Sequence, residues 1–154
     1  PDGEMNAPNV INISKRFNSF RALLLKTIVM HGDKANRVKL LKRYIEVATE
    51  CLNDLHNYET PLIIYAVLNS SIILELKETC REVKKIIILK NQWNYLIELY
   101  NGSFDAVRQE MQLNPVVVPC FLSIRQELLR NDTSRKDITP QGLNNILKHK
   151  TSSQ

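Results

Sequence analysis

Residues 55–79 read LHNYETPLIIYAVLNSSIILELKET, and this stretch decides how the chain folds. His56 to Glu59 form a polar break. Thr60-Pro61 follows it as a helix cap with proline at the first helical position, where the missing N–H costs nothing. Leu62 to Leu68 is apolar on nearly every side of a helix and therefore predicts a rod buried on all faces, at the centre of the domain. Asn69-Ser70-Ser71 interrupts it, and the residues through Leu76 predict a short helical turn.

Reading outward, Val38, Leu41, Ile45, Ala48, Leu52 and Leu55 recur at three- and four-residue steps, the stripe of a long amphipathic helix. His31-Gly32-Asp33 before it reads as stop, turn and new cap. Val10, Ile13, Phe17, Phe20, Leu24 and Ile28 place another helix from an Asn9 cap to Met30, after a flexible lead-in at residues 1–8. Downstream, the spacing predicts one long helix from about Glu78 to Tyr100, bearing Val83, Ile86, Ile87, Trp93, Leu96 and Leu99. The strand-like Ile86-Ile87-Ile88-Leu89 is outweighed by lysines and glutamates on both sides. Asn101-Gly102 ends that helix, and Ser103 caps the next, to Leu113. Asn114 to Pro119 must be extended, because residues before prolines avoid the helical region. A further helix spans Cys120 to Leu129. Residues 130–154 form a polar segment with one short helix opened by Thr139-Pro140 and a tail expected to be disordered. The prediction is an all-α fold, a single orthogonal helical domain with its core in residues 9–129.

With 154 residues, 44% of them hydrophobic, the chain can bury a core without metals or disulfides. Its net charge of +5 is scattered among sixteen carboxylates, and no basic run is interleaved with aromatics, so nucleic acid is not expected as a partner. Cys51, Cys80 and Cys120 are odd in number and far apart, which points to buried thiols in a reducing, cytoplasmic setting. There is no signal-peptide pattern at the start and no apolar run long enough to span a bilayer.

Side-chain chemistry is conspicuously missing. His31, His56 and His149 lack metal spacing, and Cys51 with His56 finds no second pair, so no metal or cofactor is expected. The sequence holds no glycine-rich phosphate loop, no GxSxG and no HExxH; Asp33 and Asp137 read as caps. An ordinary hydrolase or transferase does not fit.

The opening stretch, from Leu55-His56-Asn57-Tyr58-Glu59 through Leu68-Asn69-Ser70-Ser71 to Leu76-Lys77-Glu78-Thr79, resembles without a gap the signature of Ras-family guanine-nucleotide exchange factor domains. Four other pieces follow in order. Ala7-Pro8-Asn9-Val10 with Arg16-Phe17-Asn18, Arg37-Val38 with Tyr44-Ile45-Glu46-Val47-Ala48, Phe104-Asp105-Ala106-Val107-Arg108, and Asn114-Pro115 through Pro119-Cys120-Phe121-Leu122 are each similar to a family motif. Glu75 stands where the family usually has arginine, Leu23 and Cys80 where tryptophans are common, and Leu122 and Ile124 where a glycine and a GTPase-facing tyrosine are usual. The motifs end near Leu129, so the resemblance implies a divergent and truncated domain lacking most or all of the projecting helical hairpin of the family.

The resemblance implies a domain that binds a Ras-family small GTPase and promotes GDP release without covalent catalysis. For the contact groove the reading selects Asp33, Asn36, Arg37 and Leu40, which share one face at the opening of the second helix. Arg37 is the leading candidate. Val83, Ile87 and Lys90 on the long helix, with Phe121 and Ile124, complete the set; Asn57 and Asn69 to Ser71 read as ties between helix ends. The alternative is a catalytically inactive scaffold for protein–protein interaction, binding an adaptor protein or a GTPase. A third reading, a basic helical module recruited to an anionic membrane surface, predicts salt-sensitive sedimentation with vesicles.

Overall fold

The apolar stripes of the sequence become helices in a computed structural model, which describes residues 8–136. In chain order these are α1 (Pro8–Met30), α2 (Lys34–Asn53), α3 (Glu59–Leu68), α4 (Ser71–Glu75), α5 (Lys77–Lys85), α6 (Ile87–Tyr100), α7 (Asp105–Leu113) and α8 (Phe121–Lys136). No strand occurs among the described residues; one isolated parallel bridge joins Asn57 to Val118. The chain is all-α, as the patterning predicted. The helices up to Cys120 form one unit, and α8 begins a second at Phe121.

The central rod is α3. Pro61, Leu62, Ile63, Ile64, Val67 and Leu68 are all buried in its ten residues, and α1, α2 and α6 all pack against it. Stripes on its neighbours complete the core: Ile28 of α1, Leu41, Ile45 and Ala48 of α2, and Trp93, Leu96 and Leu99 of α6. Truncating such a side chain, Leu68→Ala for instance, costs about 2–5 kcal/mol because the cavity refills only in part.

The segment before α3 is held by a lock. Asn57 Oδ1 accepts from the amides of Glu59 (3.0 Å) and Thr60 (3.1 Å), and Asn57 Nδ2 donates to Thr60 Oγ1 at 3.0 Å. The side chain of Asn57, one residue ahead of the Tyr58 cap, and not that of Thr60, therefore takes the first amides of α3, and Pro61 still lies in the first turn, where an N–H has no helical partner. The Tyr58 amide donates to Val118 O (2.9 Å) and the Val118 amide to His56 O (3.0 Å). The buried Tyr100 hydroxyl donates to Tyr58 O at 2.8 Å. Asn114 Nδ2 reaches Tyr58 Oη at 3.0 Å. Burial pushes the Tyr100 and Tyr58 phenols above their ordinary range, so both stay neutral, Tyr100 donating and Tyr58 accepting. The extended 114–119 segment is thus a strap across the start of α3.

Several boundaries differ from the sequence expectation. Pro8 opens α1 itself, where its fixed φ suits a first turn, and Asn9 lies inside the helix. Phe104, in the left-handed region at φ 59°, and not Ser103, precedes α7. The last helix runs on to Lys136, while the expected helix at Thr139-Pro140 and the tail lie outside the described residues.

The largest difference concerns the long helix expected from Glu78 to Tyr100. Ile86 is extended (φ −83°, ψ 107°) and divides it into α5 and α6. The reason is phase. α5 buries Thr79, Cys80 and Val83; continued unbroken at 3.6 residues per turn, that stripe would bury residues 86, 87 and 90. The stripe that α6 buries is instead Leu89, Trp93, Leu96 and Tyr100. One extended residue shifts the phase, and the β-branched isoleucine run is where a helix yields most readily.

Candidate functional site

The corner between α1 and α2 is built by two residues from the candidate set. Asp33 is extended and caps α2, its carboxylate accepting from Ala35 N (3.0 Å) and Asn36 N (3.2 Å). Those two amides, aided by Arg37 and Lys39, hold the carboxyl below its ordinary range. One turn on, Arg37 Nη1 donates to His31 O (2.8 Å) and Gly32 O (3.1 Å), and its Nε reaches Thr79 Oγ1 of α5 at 3.4 Å. The guanidinium thereby fastens the corner to α5. Thr79 is itself buried, so a planar fork of donors is the group that can satisfy it and the two carbonyls together.

Asn36 is exposed and Leu40 half-buried, and with Asp33 and Arg37 they occupy neighbouring turns of α2. The opening of α2, stiffened against α5, is the rigid face that the structure assembles from the candidates. Val83, Ile87 and Lys90 lie on other helices. Val83 is completely buried and supports α5 from within, so it presents nothing to a partner. Ile87 is 73% exposed and Lys90 is exposed as well; the phase shift at Ile86 takes both out of the α5 stripe. Phe121 and Ile124 stand one turn apart on α8, in the second unit.

The ties predicted for the Asn-Ser-Ser motif are present. Ser70 Oγ donates to Val67 O at 2.7 Å and accepts from Ile73 N at 3.4 Å, while Asn69 Nδ2 donates to Tyr65 O at 3.2 Å. The five-residue α4 buries Ile73 alone and leaves Ile72 and Leu74 about half exposed. Cys80 Sγ lies 3.2 Å from Ile73 O, joining α4 to α5. Cys51, Cys80 and Cys120 are all buried, and burial raises the thiols of the first two.

Two features escaped the sequence reading. Thr79 as the partner of Arg37 is 42 residues away and carries no local signal. The second had one: Lys77, Arg81, Lys84 and Lys85 fall at i, i+4, i+7 and i+8, a single helical face. With Lys90 and Leu74 they line an open groove of about 520 Å³. Lys84 Nζ sits 4.6 Å from the centre of the Trp93 ring, a cation–π contact that holds its stem against α6.

The family model of the RasGEF domain matches residues 1–150. The chain belongs to the RasGEF family. Among similar proteins, Ras guanine nucleotide exchange factor E of Dictyostelium discoideum is 31% identical over 118 residues, 77% of this chain and 11% of that protein. Ras guanine nucleotide exchange factor Q of the same organism is 32% identical over 123 residues, 79% of this chain and 9% of that one. Ras-GEF domain-containing family member 1C of Mus musculus is 29% identical over 122 residues, covering 73% and 26%. No solved structure matches. This RasGEF chain spans about a tenth of the length of the first Dictyostelium relatives.

Two departures from the family pattern are absorbed by the RasGEF fold in different ways. Cys80, at a common tryptophan position, fills a buried place between α4 and α5. Leu23, at another, is 56% exposed on α1.

Proposed function

We propose that this RasGEF domain binds a Ras-family small GTPase and accelerates release of its GDP. The observation that carries the reading is the family match over residues 1–150 joined to a pre-formed face at the opening of α2. Exchange needs no reacting side chain. It needs a surface that binds the nucleotide-free GTPase more tightly than the loaded one, and the shift it produces is limited by that difference.

On this reading Asn36 and Leu40 touch the partner, and Arg37 is a positioning residue. Its bonds to His31 O, Gly32 O and Thr79 Oγ1 fix the corner before the partner arrives, so the ordering is already complete when the GTPase binds.

The test is release of a fluorescent guanine nucleotide from a panel of Ras-family GTPases with and without this chain. Acceleration for at least one member is expected, reduced by Leu40→Ala and by Arg37→Ala. Unchanged release from every member rejects the proposal.

A further inference from the structure

The elbow between α5 and α6 concentrates apolar surface beside positive charge. Ile86, Ile87 and Ile88 are consecutive in the chain and 43%, 73% and 68% exposed. The adjoining groove is lined by Lys77, Arg81, Lys84, Lys85 and Lys90 without a carboxylate. Residues 77–90 carry these five cations against Glu78 and Glu82, so 14 residues supply +3 of the net +5 of the chain. The two carboxylates pair with Arg81 and Lys85 at the exposed surface, where such pairs contribute little and yield to a stronger anionic field.

The α2 face uses none of these residues, and the core engages only Lys84, whose ammonium lies 4.6 Å from the centre of the Trp93 ring. The phase shift at Ile86 turns Leu89 and Trp93 inward and leaves the three isoleucines outside. They are consecutive at the junction of α5 and α6 and do not line the groove, so they offer exposed apolar surface and not a pocket for a partner's side chain. An exposed apolar run beside a row of cations matches the boundary of an anionic bilayer, where branched side chains enter the acyl edge and ammonium groups meet headgroup charge. No helix among the described residues is long and apolar enough to cross a membrane, so the contact is peripheral.

The geometry points to the α5–α6 elbow as a docking site for an anionic lipid membrane, with Ile86–Ile88 entering the headgroup–acyl boundary and Lys77, Arg81, Lys84, Lys85 and Lys90 holding lipid charge. This stands apart from the exchange reading and survives its failure.

The test is sedimentation of this chain with vesicles of phosphatidylcholine alone and of phosphatidylcholine with phosphatidylserine. Binding to the anionic vesicles only, falling as salt is raised, is the expected result. Lys77→Gln/Lys85→Gln/Lys90→Gln should lower the affinity about a hundredfold, and Ile87→Ser/Ile88→Ser about tenfold. Absence of binding to anionic vesicles overturns the proposal, as does binding undiminished in either variant. Deuterium exchange of the unaltered chain covers the case of a misfolded variant: slower exchange at residues 84–90 on anionic vesicles is expected, and no change there also overturns it.

Discussion

The corner between α1 and α2 is polar and closed by its own side chains, whereas the elbow between α5 and α6 is apolar and open. At the first, the Asp33 carboxylate takes two amides of α2, and Arg37 takes the carbonyls of His31 and Gly32. At the second, Ile86 gives α6 no side-chain cap, and three isoleucines face outward. Both turns do the same topological work. Apart from the reach of Arg37 to Thr79, the polar corner follows from local sequence chemistry, while the elbow sacrifices cap and burial together, and such a local loss marks a place where a chain serves something other than its own stability.

Breaking the polar corner should have the largest effect. Arg37→Ala removes three hydrogen bonds, one of them to a buried hydroxyl, and is expected to cost about 2 kcal/mol in urea denaturation. Arg37→Lys should recover only a fraction, because one ammonium cannot span two carbonyls and a distant hydroxyl. Full recovery by lysine would show that charge, not the fork, closes the corner. The elbow should respond in the opposite direction. Ile86→Ser supplies the missing cap oxygen and should stabilise the fold by about 1 kcal/mol, while weakening attachment to anionic vesicles. Destabilisation instead would mean that Ile86 is held by packing, and the contrast between the corners would collapse.

The same contrast explains what the sequence disclosed. Apolar periodicity marked α1, α2 and the central α3, and prolines marked the strap at 114–119, because each signal lies within a few residues of its cause. The lock was legible only in outline: Asn57 was readable as a tie, but Tyr100 meeting Tyr58 O spans 42 residues. The elbow is not legible from its isoleucine run, since the break depends on which face of α5 and of α6 meets the core, a tertiary fact that overrides helix propensity. The shared face of Asp33, Asn36, Arg37 and Leu40 was legible from spacing, whereas Val83 belongs to the buried stripe of α5 and the exposure of Ile87 follows from the phase shift at Ile86.

Smaller effects sharpen the comparison further. Ile88→Ser should change stability by no more than about 0.5 kcal/mol, because its side chain is 68% exposed; a larger loss would show hidden packing at the elbow.

The smallest effect concerns pH at the polar corner. The Ala35 and Asn36 amides hold the Asp33 carboxyl below its ordinary value of 3.8. A group depressed in the folded state stabilises above its unfolded value and loses that contribution as pH falls through the folded one. Stability should therefore decline on acidification below about pH 4, and Asp33→Asn, which keeps an acceptor oxygen for the cap but has no charge to lose, should decline less. A carbon-13 titration of Asp33 with its midpoint below 3.8 is the expected reading. A midpoint at or above that value would mean that the amides do not bind the carboxylate in solution, leaving Arg37 alone to close the corner and removing half of what distinguishes it from the elbow.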